Sequence, residues 1–336
     1  MGRVSTEPAP TPARSAGAAT VLARSRGELA VALADAPDPR AVVMTMGALH
    51  EGHFDLVREA ARRVGPAGTV VVTIFVNPLQ FAPTEDLDSY PRDLEGDLAG
   101  LTRTLTGVDG ALGVGRLIVF APTPEVIYPS GQPAVRIDPG PIATVLEGRT
   151  RPTHFAGVCQ VVLTLMHLTA PRWALFGRKD AQQLAIIESM VRDLAVPLEI
   201  VPVDIRRESD GLAMSSRNAY LSPEQRRQAL ALSRALQAGR DAAAQAAGSG
   251  TRPDPAAIRR AALASLEAAD GVEIDYVALV DPAGFEDLTD AGLGLPRRAP
   301  VREDTGEGLP AVGLLAVAAR VGTTRLIDNT LIDLHP

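Results

Sequence analysis

Apolar positions along the chain come in short runs separated by longer stretches of helical period. Ala41 to Thr45 (AVVMT) is a compact apolar run that stops at Met46-Gly47, and the following HEGHFDLVREAARRV places Phe54, Val57, Ala61 and Val64 on one helical face. That order predicts strand, glycine turn, helix. Thr69 to Val76 (TVVVTIFV) is a continuous β-branched run of the kind buried on both faces of a parallel sheet, which completes a second such unit. Leu117 to Phe120 (LIVF), Trp173 to Phe176 (WALF) and Leu198 to Val203 (LEIVPV) read as further strands, with helices over Phe155 to Leu168 and Ala181 to Leu194. Strands alternating with helices at these lengths predict an α/β chain built on a doubly wound parallel sheet.

Beyond about Asp204 the texture changes. An Ala-rich helix near Pro223 to Ala247 is followed by a Gly/Ser/Pro break at Gly248 to Pro255 and a second Ala-rich helix to about Ala269. Asp275 to Val280 and Leu314 to Arg320 read as strands, joined through a segment rich in Pro, Gly and charge from about Leu288 to Leu309. Residues 1–19, rich in Pro, Ala, Ser and Thr, are expected to be a disordered tail, 20–205 the parallel-sheet unit and 206–336 a smaller α/β unit. No internal repeat is evident.

Charge and composition narrow the function classes. The chain has 336 residues with 33 Lys plus Arg against 40 Asp plus Glu, a formal charge of −7, which argues against a partner bound by neutralising a phosphate backbone. Nucleic acid is not expected. Cys159 is the only cysteine, which excludes an intramolecular disulfide and the four-cysteine zinc sites. The first residues hold no apolar block resembling a signal sequence, and apolar stretches such as Gly157 to Leu168 are interrupted by Gln160, Thr164 and His167, short of the roughly 18 residues that a membrane span needs. The expectation is a cytoplasmic chain that does not cross a membrane.

Four segments carry chemistry. Met46-Gly47-Ala48-Leu49-His50-Glu51-Gly52-His53 lies between a buried strand and a helix start, where glycine allows close backbone approach and free N–H groups attract an anion. Two imidazoles three residues apart there can both donate to one phosphoryl group; the alternative is a polar helix start or half of a metal site. Phe75 to Phe81 (FVNPLQF) puts the neutral amides of Asn77 and Gln80 at a strand end, where ligands of open α/β sheets bind, although Asn77-Pro78 alone is a common turn signal. Gly177-Arg178-Lys179-Asp180 with Gln182 and Gln183 offers a flexible ammonium to phosphates, or else a solvated helix start. Asp210 to Asn218 (DGLAMSSRN) offers two hydroxyls and a guanidinium that could wrap a triphosphate, or else a helix cap with a surface arginine.

Taken jointly and in order, these segments resemble the pantothenate synthetase family of the nucleotidyltransferase superfamily, with its His-x-Gly-His motif and its loop akin to Lys-Met-Ser-Lys-Ser. The resemblance extends over about residues 41–330 and includes Asp88 to Arg92 (DSYPR), Phe120 to Pro129 (FAPTPEVIYP), Leu146 to Arg149 (LEGR) and His154 to Val158 (HFAGV). It implies a Rossmann-like fold and ATP-dependent joining of pantoate to β-alanine through an acyl-adenylate. On that resemblance Met46, Gly47, Ala48, Leu49, His50, Glu51, Gly52 and His53 line the ATP site, with His53 catalytic and His50 and Lys179 beside it. Gly177, Arg178, Lys179, Asp180, Arg206, Met214, Ser215, Ser216 and Arg217 meet ATP, with Lys179 and Arg217 on its phosphates. Gln80 and Gln183 hold pantoate, Gln80 also meets β-alanine, and Asn77, Arg151 and His154 contribute to substrate binding. Magnesium accompanies the phosphates, with Asp97 as a ligand through water, and the assembly is a homodimer.

The chain departs from the family pattern at three places. Arg178 stands where a Glu is expected, Ala181 where a Tyr is expected, and Arg206 where a small apolar residue adjoins the adenine. The segments 102–115 and 288–309 are longer than usual. Two rival readings are another His-x-Gly-His transferase acting on a phosphate ester, which would call for more cations than the Asn77/Gln80/Gln183 amides supply, and a catalytically silent nucleotide-binding regulator, which loss of His50, His53 or Lys179 would suggest.

Overall fold

The computed structural model describes residues 20–81, 87, 90–107, 113–289 and 310–335. The expected tail at 1–19, Asp88 and Ser89, the middle of the 102–115 segment and most of 288–309 lie outside the described residues.

Six strands form one parallel sheet: β1 (Thr20–Ala23), β2 (Arg40–Thr45), β3 (Thr69–Ile74), β4 (Arg116–Phe120), β5 (Trp173–Gly177) and β6 (Glu199–Val203), in the spatial order β1-β4-β3-β2-β5-β6. Every pairing in it is parallel. Because successive side chains of a strand face opposite ways, each central strand feeds two cores. Val42, Val71, Ile118 and Ala174 pack on one face, against α1 (Arg26–Ala34), α6 (His154–Thr169) and α7 (Ala181–Asp193). Val43, Val72, Val119 and Leu175 pack on the other, against α2 (Glu51–Val64) and α3 (Leu94–Leu105). A continuous run of Val and Ile is what burial on both faces demands.

The expected strands are all present, and the three helices expected before residue 204 match α2, α6 and α7 to within a residue or two. Six elements were not read from the apolar pattern, β1 and β9 (Thr324–Asp333) among the strands and α1, α3, α4 (Pro124–Ile127) and α5 (Glu147–Thr150) among the helices. α1 is announced by a capping box, in which the Ser25 side chain accepts from the Glu28 N–H, and α3 by Asp93, whose carboxylate accepts from Gly96 N–H. Short α4 (Pro124–Ile127) and α5 (Glu147–Thr150) fill the connection to α6.

The later part of the chain is built on a three-stranded antiparallel sheet of β7 (Val272–Val280), β8 (Val312–Val321) and β9 (Thr324–Asp333), of which β9 was not expected from the sequence. The long helix α8 (Pro223–Gly248) and α9 (Pro255–Glu267) cover one face, with Leu232, Leu236, Ile258 and Leu266 packed on Val277, Leu315 and Val317. The opposite face turns toward the parallel-sheet unit: Tyr276, Ala278, Leu314, Ala316 and Phe285 pack on Val145, Leu146 and Ala185. An ionic cluster closes the same junction. Arg325 on β9 binds both carboxylate oxygens of Glu147 at 2.7 Å and Asp275 at 2.6 Å, and the Tyr276 hydroxyl donates to Glu147 at 2.9 Å.

Strand order fixes where a ligand can lie. From β2 the chain winds outward through β3 and β4 to one side, and from β5 through β6 to the other. Neighbouring connections therefore leave on opposite faces between β2 and β5, opening a crevice at the carboxyl ends of those two strands. The turn after β2 begins at Met46 and the turn after β5 at Arg178, so two of the four segments singled out above border that crevice.

Candidate active site

The turn after β2 is built to present two imidazoles. Gly47 sits at φ 89°, a region that side chains disfavour, and Ala48 follows at φ 50°. Asp97 on α3 supports this bend from beneath: its two oxygens accept from Ala48 N–H at 3.0 Å and Leu49 N–H at 2.7 Å. Burial pushes the Asp97 carboxyl above its usual range while those two hydrogen bonds pull it down.

His50 then caps α2. Its Nδ1 accepts from Gly52 N–H at 3.2 Å, and Nδ1 of His53 accepts from the His50 N–H at 3.3 Å. A neutral imidazole that accepts at Nδ1 carries its proton on Nε2, so both rings are fixed as Nε2–H donors. The rings lie 4.1 Å apart between centroids, tilted by 33°. Burial, then the neighbouring His50, pushes the His53 pKa down to about 3, and burial followed by Lys179 lowers that of His50. Both rings are therefore neutral near pH 7. They can donate hydrogen bonds to developing negative charge but do not bring positive charge to it.

The positive charge comes from other elements. Lys179, in the turn after β5, lies 3.9 Å from Asp180. Arg217 enters in the segment between the two sheets, where Ser215 Oγ accepts from the Arg217 N–H at 3.3 Å. The Met214 sulfur in that segment accepts from Gly52 N–H at 3.2 Å, joining the fourth segment directly to the histidine turn.

Two connected cavities result. The first, about 270 Å³, is bordered by Met46, His50, His53, Gln80, Arg206 and Met214 among others. The second, about 510 Å³, lies between the two sheets and is bordered by Gln183, Arg325 and Asn329 among others. Lys179, Asp180, Gln183, Ser215, Arg217, Arg151 and His154 border both. Gly177 and Ser216 border the first.

Several of the residues expected to meet ligands also hold neighbouring groups of the protein. Asn77, 1 % exposed, donates to Gly157 O at 3.0 Å and to Gln80 Oε1 at 3.2 Å, while its Oδ1 accepts from Leu79 N–H and from the Tyr128 hydroxyl. Through these four hydrogen bonds Asn77, which borders the first cavity, holds Gln80 in place. The geometry permits this because helix α6 comes so close that a Cβ on Gly157 would lie 2.4 Å from Leu79 O. Arg151 and His154 act on the same loop: His154 Nδ1 lies 3.1 Å from Gln80 O and Arg151 Nη1 3.2 Å from His154 Nε2, so a proton on Nδ1 satisfies both. Glu51 points outward to an ion pair with Arg58 at 2.8 Å, and the Arg178 side chain pairs at 3.1 Å with Asp204, which borders the first cavity. Gly47, Ala48 and Leu49 form the bend beneath the cavity and do not border it. Both oxygens of Asp97 accept a hydrogen bond from that bend, which makes it a support for the loop, and no group of three or more potential metal-ligating side chains converges among the described residues. Arg206 does border the cavity, paired with Asp55 of α2 at 3.3 Å.

Sequence reasoning passed over the residues that hold these segments together. Gln182 is buried and donates to Ile142 O at 2.6 Å and Val145 O at 2.8 Å while accepting from Glu147 N–H at 3.1 Å. Tyr128 stood inside a quoted stretch without a role. Arg207, Asp328 and Asn329, described below, carry no local signal, since their partners lie 121 to 151 residues away.

A parallel sheet with a switch point between β2 and β5, a His-x-Gly-His helix start on one bank and a cationic turn on the other define a nucleotidyltransferase-type α/β enzyme. A family model for pantoate-beta-alanine ligase matches residues 23–331. The chain belongs to the pantoate–β-alanine ligase family. It is 49% identical over 317 residues to a pantothenate synthetase of a Nocardioides species, covering 93% of this chain and 85% of that one. Among solved structures, the pantothenate synthetase of Thermus thermophilus superposes with a TM-score of 0.76 at 40% identity, covering 94% of this chain and 100% of that one. A pantoate-beta-alanine ligase from Francisella tularensis, solved with a form of ATP and with β-alanine, gives a TM-score of 0.66 at 27% identity over 93% of this chain and 98% of its own.

Proposed function

We propose that this chain uses ATP to activate pantoate as an acyl-adenylate and transfers the pantoyl group to β-alanine. The observation that carries the reading is the set of groups gathered on one cavity: the neutral Nε2–H donors His50 and His53, the cations Lys179 and Arg217, and the amides of Gln80 and Gln183 all border it. In the first step a carboxylate oxygen of pantoate bonds to the α-phosphorus as the bond to the bridging oxygen of diphosphate breaks. Lys179 and Arg217 follow the charge onto the departing diphosphate, and His50 and His53 donate to the α-phosphate oxygens. In the second step the neutral amine of β-alanine bonds to the carbonyl carbon and AMP leaves. No covalent bond to the protein is required.

Gln80 suits a hydroxyl or carboxylate of pantoate because Asn77, Arg151 and His154 fix the loop that carries it. Gln183, on the first turn of α7, faces both cavities and suits the same ligand. The described residues supply no cluster to hold a resident magnesium ion, so the ion is read as arriving on the triphosphate, as part of the substrate. The unit from residue 206 onward is read as the part that closes over ATP, which the Met214 to Gly52 hydrogen bond supports. A cytoplasmic homodimer completes the reading, and light scattering of the purified chain measures that assembly.

Exchange of labelled diphosphate into ATP is the direct test. The expected result is exchange that requires pantoate and Mg²⁺ and proceeds without β-alanine. Exchange without pantoate, or only with a phosphate-bearing acceptor, would overturn the assignment.

A further inference from the structure

The two segments that offer cations to the crevice are distant in sequence and do not hold each other. Lys179 sits on the turn after β5, and Ser215 to Arg217 follow a narrow loop whose two sides pair at Arg207 and Ala213. Both are held by neighbouring residues of β9. Adjacent residues of a strand project to opposite faces, so Asp328 and Asn329 reach in two directions from one point.

Asp328 faces the loop. Its Oδ2 accepts from Arg207 Nη1 at 2.7 Å and its Oδ1 from Arg207 Nη2 at 3.0 Å, a two-pronged pair that also places Arg207 Nη1 3.1 Å from Gly211 O. Asp328 Oδ1 further accepts from the Asn329 backbone N–H at 2.8 Å, which ties the Asp328 carboxylate to the backbone that carries Asn329. Asn329 faces the other way. Its single amide nitrogen donates to Arg178 O at 2.9 Å and to Lys179 O at 2.8 Å, so both of its hydrogens hold the backbone of the lysine turn. Asp328 is 3 % exposed and Asn329 6 %.

Docking of the two sheets does not need this pair. The apolar surface around Tyr276, Leu314 and Ala316 and the Arg325 cluster already join them. A buried carboxylate is expensive to desolvate, and its retention where docking is already provided points to a geometric task. From this we infer that Asp328 and Asn329 are positioning residues which set the separation of the two cation-bearing segments, Asn329 through the Lys179 turn and Asp328 through the loop before Arg217. The inference rests on the proposed function in taking those cations as triphosphate contacts. It adds that their spacing is fixed by β9 and by neither segment alone.

The test uses the full-length chain and separates phosphate binding from nucleoside and pantoate binding. Calorimetric titration of Asn329→Ala is expected to show MgATP affinity lowered about tenfold, the loss of about 1.4 kcal/mol of hydrogen bonding, with adenosine and pantoate affinities within about twofold of wild type. Asp328→Asn keeps the shape and removes the charge that holds Arg207; it is expected to shift MgATP in the same direction with the same selectivity. In a Lys179→Ala background, Asn329→Ala should add less than about twofold, because the group it positions is gone. Equal losses for adenosine, pantoate and MgATP would make the pair a plain docking contact and overturn the inference, as would an undiminished effect in the Lys179→Ala background. If Asn329→Ala does not fold, the selectivity of Asp328→Asn decides alone. Failure of the proposed function reads differently: the wild-type chain would then lack pantoate-dependent exchange, whatever the binding selectivity of these variants.

Discussion

The hydrogen bond from the His50 N–H to Nδ1 of His53 persists only while that nitrogen is unprotonated, so a neutral His53 is built into the start of α2. Its pKa near 3 lies below the ordinary value of 6.5, with burial first, then His50 and Lys179, opposing its protonation and Asp180 favouring it. The unfolded chain therefore takes up a proton as pH falls through 6.5 while the folded chain does not, and stability contributed by His53 is present above that range and is lost below it. Between pH 7 and pH 5 the wild type should lose about 2 kcal/mol more unfolding free energy than His53→Ala, measured by urea denaturation at each pH. Equal pH slopes would mean that His53 is not held neutral. The same variant should slow adenylation by about two to three orders of magnitude, the usual effect of removing one preorganised donor. The spacing His50-x-x-His53 was legible in the sequence because both rings lie on one helical turn. Their neutrality was not, because burial and Lys179 reach them only through the fold.

At the scale of elements, the site depends on helices that approach a turn from behind. α3 brings Asp97 beneath the bend at Ala48 and Leu49, and α6 brings Gly157 against the loop of Asn77 to Gln80. Asp97→Asn keeps one acceptor but turns an NH₂ group toward a backbone N–H, a mismatch that costs about 1–3 kcal/mol. It should lower the rate of diphosphate exchange about tenfold, by about 1.4 kcal/mol in barrier, while leaving the KM for pantoate near wild type. Raising Mg²⁺ should not restore the rate. Recovery at high Mg²⁺ would instead return Asp97 to the role of ion ligand. The sequence marked five of the six parallel strands, two of the three antiparallel ones and the helices α2, α6, α7, α8 and α9 through their apolar period. It did not mark α3 as part of the site, because its one contact with the histidine turn spans 48 and 49 residues.

For the whole molecule, the junction between the sheets combines an apolar patch with the Arg325 cluster, in which the side chains of Arg325 and Glu147 are each 14% exposed. Arg325→Met would leave Glu147 and Asp275 facing each other without a counter-charge. Removing one partner from such a largely buried arrangement costs about 3 kcal/mol, and because the cost falls on the junction, calorimetry should resolve a lower-temperature transition for the antiparallel sheet. A single transition shifted by less than about 1 kcal/mol would show that the apolar patch suffices. The sequence by itself determined β2 to β6 of the parallel sheet, the turns at their ends and the residue types offered there, since each depends on neighbours within about ten residues and on the periods of strand and helix. Only the tertiary structure decided which of those residues face the crevice. Glu51 and Arg178 stand in the right turns yet pair with Arg58 and Asp204, and Asn77 spends its hydrogen bonds on the loop that carries Gln80. It also supplied the partners that no local pattern announces: Asp328 and Asn329 hold segments more than a hundred positions earlier, because folding β9 against β8 brings that strand back across the mouth of the first sheet. Apolar period is a local property of a chain, whereas the partner of a buried polar atom is whatever the completed packing places beside it.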